Sequence, residues 1–128
     1  MTVVRYLYNR QVTPPALFIH ATCRCPKTAN ELSDFPAQLD TGSDRTVIPA
    51  RIAEELRLVP VQELLVAGLG GEPQAMPSYL VDIEIRGFQS LRIEVVAHQE
   101  EPYVLLGRDV LNQFRILLDG PNQAFEIE

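Results

Sequence analysis

Asp40-Thr41-Gly42-Ser43 gathers the residue types of this chain best suited to chemistry into a single short stretch. A carboxylate held in a tight turn can act as a base toward water when ionised and as an acid toward a leaving group when protonated. An aspartate next to a glycine is also an ordinary turn or helix-capping arrangement, so the surrounding positions must decide between the two. His20, Cys23 and Cys25 form a second group of ligand-type side chains. Three ligands in a His-x-x-Cys-x-Cys spacing do not follow the usual zinc patterns, and no metal is expected there. Gly68, Gly70 and Gly71 lack the G-x-G-x-x-G spacing and open no helix, which argues against a phosphate cradle. His20 and His98 read as ordinary strand or surface histidines.

The elements that must position the turn are mostly strands. Ala16 to Cys25 alternates and is bracketed by Pro14, Pro15 and Pro26, the punctuation of a strand. Cys23 and Cys25, two apart, point the same way from it, a poor geometry for a mutual disulfide, so both are expected reduced. The polar run from Lys27 to Pro36 reads as a connecting loop, and Ala37-Gln38-Leu39 leads into the Asp40 turn. Pro49 suits a first helical turn, and Ile52, Ala53 and Leu56 give the short helix that follows one apolar stripe. Val61 to Ala67 and Gln74 to Arg86 flank the glycine cluster, which predicts a hairpin with an exposed tip. Val81, Ile83 and Ile85 alternate with charges, as do Leu91, Ile93 and Val95, giving a second hairpin that turns near Gly87. Val104-Leu105-Leu106 suits an interior strand, followed by a brief helical pattern over Asp109 to Phe114. Arg115 to Leu118 and Ala124 to Ile127 surround the turn-rich Asp119-Gly120-Pro121-Asn122 and predict a closing hairpin.

With 128 residues the chain is expected to form one domain, 1–128, because a second core would have too little chain to close. A hydrophobic fraction of 46% against 22% charged residues is that of a folded globular protein. The net charge of -6 and pI near 4.9 argue against nucleic acid as a partner, since neutralising phosphates needs clustered basic residues. Ten arginines and the lone Lys27 are scattered, which also disfavours an anionic membrane surface. Charge interrupts the opening Met1 to Arg10 before an export signal could form, and no stretch approaches the ~18 apolar residues of a spanning helix. A cytoplasmic protein is expected.

Three features occur in a fixed order: Asp40-Thr41-Gly42-Ser43 with Leu39 before it and Val47-Ile48 after, the glycine-tipped hairpin, and Leu105-Leu106-Gly107-Arg108-Asp109. In that order and spacing the chain resembles the retropepsins, the retroviral-type aspartic proteases, and their cellular and bacterial stand-alone relatives, over roughly Phe18 to Leu118. The resemblance implies a mainly β, single-domain half-barrel with two short helices, which dimerises to form the active site. It implies an aspartic endopeptidase that needs no cofactor, with a peptide or protein as substrate. The sequence holds one Asp-Thr-Gly turn, so a second copy of the chain must supply the other aspartate.

Carried over by residue, the resemblance makes Asp40 the catalytic aspartate, Thr41 a bond across the dimer axis, and Gly42 the residue that permits the turn. Ser43 takes the position whose hydroxyl donates to the carboxylate, which would favour an acidic optimum. Asp44 and Arg108 take the positions of a structural ion pair. Asp44, Val47, Leu69, Gly70, Gly71 and Leu105 fall where relatives contact substrate, with Leu69, Gly70 and Gly71 at the tip of a flap. Against the viral form, the chain has a longer loop before the turn, a helix at Pro49 to Leu56 and a C-terminal hairpin. The alternative is a catalytically silent dimerisation or peptide-binding module on the same fold.

Overall fold

The computed structural model describes residues 2–68 and 70–128; Leu69, assigned above to the hairpin tip, lies outside them. The first strand, β1 (Val4–Leu7), was not signalled by the sequence. It pairs antiparallel with β10 (Ala124–Ile127), Val4 opposite Ile127, and β9 (Ile116–Asp119) lies on the other side of β10. These three strands form a small terminal sheet. Phe125 anchors it, fully buried with the Tyr6 ring stacked at 5.1 Å.

The main sheet holds β2 (Phe18–Arg24), β3 (Glu31–Leu39), β4 (Val47–Pro49), β5 (Pro60–Val66), β6 (Gln74–Ile85), β7 (Leu91–His98) and β8 (Val104–Leu106). Its order is β2-β3-β8-β4-β7-β6-β5, and β2 also pairs with β6, so six strands close on one another as a barrel. Along the twelve residues of β6, the first half pairs with β5 and the last four residues with β2. Closure is driven by alternation: Val81, Ile83 and Ile85 point inward and are buried, with Asp82 and Glu84 between them less so. Helix α1 (Ala50–Glu55) packs its Ile52 and Ala53 into the core, and α2 (Arg108–Leu111) its Val110 and Leu111. The mainly β architecture with two short helices is the one expected.

The stretch read as a loop from Lys27 to Pro36 is a strand from Glu31 onward. Its pairing with β2 sets Cys23 opposite Leu32 and His20 opposite Pro36, a bulge between Ala21 and Cys23 taking up the irregularity. Proline is tolerated because β8 joins the other edge of β3 only from Ala37. The supposed long loop before the Asp40 turn is therefore mostly sheet.

Cys23 and Cys25 are buried free thiols, while His20 is exposed, so the three do not converge as ligands. Burial pushes the Cys23 thiol up to about 12, leaving almost no thiolate near neutrality. Iodoacetamide should leave Cys23 unmodified in the native protein and label it after unfolding in urea; rapid native labelling in intact-mass spectra would contradict this burial. Among the described residues no helix is long and apolar enough to cross a membrane.

Candidate active site

Strands β3 and β8 run parallel, bringing Leu39 beside Leu106. Where β3 ends, the Asp40 N–H donates to the Leu106 carbonyl at 2.9 Å, and the chain leaves the barrel as a turn. The turn closes through the Ser43 N–H to the Asp40 carbonyl at 3.2 Å. The Gly42 N–H donates to Asp40 Oδ1 at 3.0 Å and fixes the carboxylate. A β-carbon at Gly42 would sit 3.2 Å from that oxygen, so glycine keeps the carboxylate uncrowded. Asp40 is half-buried, and Thr41 and Gly42 are exposed.

The segment 106–109 clamps the turn from below. The Arg108 N–H donates to the Ser43 carbonyl and its Nη1 to the Thr41 carbonyl, both at 2.8 Å. The expected Asp44–Arg108 pair is not among the ion pairs of the described residues; Arg108 grips the backbone of the turn instead. Ser43 departs from expectation too, its hydroxyl donating to the Arg45 carbonyl at 2.7 Å rather than to Asp40. A hydroxyl has one proton, and this carbonyl, two residues on in the same turn, holds it.

Two residues to which the sequence assigned no role, Thr46 and Asp109, hold the clamp together. Thr46 is fully buried, and its N–H and hydroxyl donate to the two carboxylate oxygens of Asp109 at 3.0 and 2.6 Å. The same hydroxyl accepts from the Gly107 N–H at 3.0 Å. The available signal was a single threonine leading into an apolar run and a carboxylate after Gly107-Arg108. Thr46→Val should cost about 2 kcal/mol in urea denaturation, because it strips a partner from a buried amide and a carboxylate. An unchanged midpoint would remove the clamp from this description.

Beyond the turn, Val47 sits opposite Leu105, and both are half-buried. Val47, Ser43, Asp44, Leu64 and Val66 line a groove of about 360 Å³ between the turn and β5. Gly70 and Gly71 are exposed at the tip of the β5–β6 hairpin. Gly70 has φ 72, which favours glycine, and the Gly71 N–H closes the tip onto the Gly68 carbonyl at 3.2 Å. The site residues thus fall into three neighbouring parts: an open turn, a groove wall and a glycine-tipped arm.

The aspartyl protease family model matches residues 26–110, which include the turn, the hairpin and the clamp. A retropepsin-like aspartic protease from Rickettsia conorii superposes with a TM-score of 0.67 at 16% identity, covering 98% of this chain and 89% of that one. The EIAV protease in complex with an inhibitor gives 0.55 at 21% identity, covering 77% and 86%. The retroviral protease-like domain of Ddi1 from Leishmania major gives 0.52 at 14%, covering 87% and 88%. A search of curated protein sequences gives no match. With most of its length matched by the family model and its barrel shared with these structures, the chain belongs to the aspartyl protease family and has the retropepsin-like fold.

Proposed function

We propose that this protein is an aspartic endopeptidase, active as a homodimer in which each copy contributes Asp40. The observation that carries the reading is the Asp40 turn, clamped from below by 106–109 and left open above, with Thr41 exposed where a second copy's turn would meet it. The edge strand β9 adds support. Leu117 and Leu118 are each 60% exposed on it, apolar surface that a second copy of the terminal sheet would cover.

Two carboxylates held together share one proton, because both cannot ionise at close range. The ionised one takes a proton from water as the water oxygen bonds to the peptide carbonyl carbon, and the other gives its proton to the carbonyl oxygen. As the tetrahedral diol collapses, the C–N bond breaks and the nitrogen takes the first carboxyl's proton. A diol hydroxyl returns a proton to the second carboxylate, restoring the starting state. In this reading Thr41 bonds across the axis and the 67–73 arm is a flap that closes over the peptide and excludes water. Val47 and Leu105 would receive apolar side chains, with Asp44 beside the peptide backbone. Two buried free thiols support a reducing, cytoplasmic setting.

The test is mass-spectrometric mapping of products from a proteome-derived peptide library at acidic to neutral pH. Cleavage between bulky apolar residues is expected. A confirmed dimer that cleaves nothing would leave the peptide-binding module as the better reading.

A further inference from the structure

Glu94, on β7, lies outside the Asp40 turn, yet its carboxylate meets both the β5–β6 hairpin and the loop that follows the turn. Oε2 faces the hairpin, accepting from Ser78 Oγ of β6 at 2.6 Å and Gln62 Nε2 of β5 at 2.8 Å. Oε1 faces the catalytic loop, 3.8 Å from Arg45 Nη1, and the same Nη1 donates to the Glu94 carbonyl at 3.2 Å. Ser78 is fully buried and also lies 3.1 Å from the Gln62 carbonyl.

The contact falls where the hairpin ladder is irregular. The β5–β6 register shifts between Pro60 and Glu63, so Gln62 has no ladder partner, and Glu63 faces Pro77, which has no N–H to give. At this irregularity the side-chain bonds of Ser78 and Gln62 to Glu94 tie β5 and β6 to β7. Ser78 first, then Gln62, with the Arg45 charge adding, holds the Glu94 carboxyl below the usual range. Arg45 is the charged side chain facing it; Ser78 and Gln62 are neutral.

We propose that Glu94 is a positioning residue, locking the base of the β5–β6 hairpin to the catalytic loop through Arg45, so that flap closure and the geometry of the Asp40 turn are set together. The inference rests on the protease reading for its consequence, though the lock itself can be measured without catalysis. Glu94→Gln keeps one oxygen that can accept from Ser78 and Gln62, but turns an NH₂ group toward Arg45 and removes the charge facing it. Arg45→Gln breaks only the loop side and leaves the Ser78 and Gln62 bonds in place.

The experiment combines hydrogen exchange of the hairpin amides with steady-state kinetics on a library-derived peptide. Both variants should speed exchange at 61–66 and 74–78 and raise KM roughly fivefold or more, with a smaller change in kcat. Their double mutant should add little to either alone. Additive effects, or loss of melting temperature with unchanged KM and hairpin protection, would overturn the lock and leave Glu94 a purely structural residue. If the wild type cleaves nothing, the exchange result and its double-mutant cycle still decide the lock, while the protease reading fails separately.

Discussion

Asp40→Asn is expected to lower peptide hydrolysis by at least about a thousandfold while leaving the fold in place. In a symmetric dimer the substitution removes both carboxylates, and with them the base that deprotonates water and the acid that protonates the carbonyl. The fold should survive, because the one side-chain bond Asp40 makes within the turn, from the Gly42 N–H, can be accepted equally by an amide oxygen. Asp40 is also only half-buried, so neutralising it strands no charge. Thermal melts should overlay those of the wild type while product peptides disappear from the mass spectra. Residual cleavage within tenfold of wild type, in protein free of contaminating protease, would remove Asp40 from the catalytic role.

Gly107→Ala should be the most destabilising of the glycine-to-alanine changes. A β-carbon there would lie 2.6 Å from the Arg45 carbonyl carbon, 2.8 Å from its oxygen and 2.9 Å from the Ser43 oxygen. Backbone cannot swing aside as a flexible side chain would. Moving it would break the Arg108 N–H bond to Ser43 and disturb the Gly107 N–H bond to Thr46. A cost of about 3 kcal/mol or more follows from overpacking of this kind, and activity should fall with it because the displaced atoms belong to the loop that carries Asp40. Gly120→Ala is the control: nothing lies within 4 Å of its added carbon, and its stability should stay within about 0.5 kcal/mol of wild type. Equal urea midpoints for the two variants would contradict the close approach of 106–109 to the turn.

Strands whose one face is buried were readable from alternation alone, as Val81, Ile83 and Ile85 in β6 illustrate. The glycine-tipped hairpin and the closing β9–β10 hairpin were readable from turn residues between two runs. Strand β1 was not, because its partner β10 lies at the opposite end of the chain and Arg5 interrupts its apolar pattern. The outer part of β3 hid for another reason. Ser33 and Asp34 are exposed there, so the composition resembles a loop, and only the register with β2 makes it a strand. At the candidate site, local chemistry was legible and long-range chemistry was not. The Asp-Thr-Gly turn announces itself within three residues, but the Thr46–Asp109 bonds join positions 63 apart, and the barrel alone brings them together. Arg108 was singled out for an ion pair, yet in the folded chain its guanidinium meets a carbonyl of the turn, a group that every residue carries and no sequence pattern marks.

An active site built from two copies of Asp40 makes a direct prediction for mixed subunits. Wild type and Asp40→Asn chains are combined in equal amounts, allowed to exchange subunits, and assayed against wild type at the same total concentration. Random pairing into dimers that need both aspartates predicts roughly a quarter of the wild-type rate. Activity of one half, unchanged by exchange and independent of concentration, would mean that each chain works alone and would contradict the shared dyad.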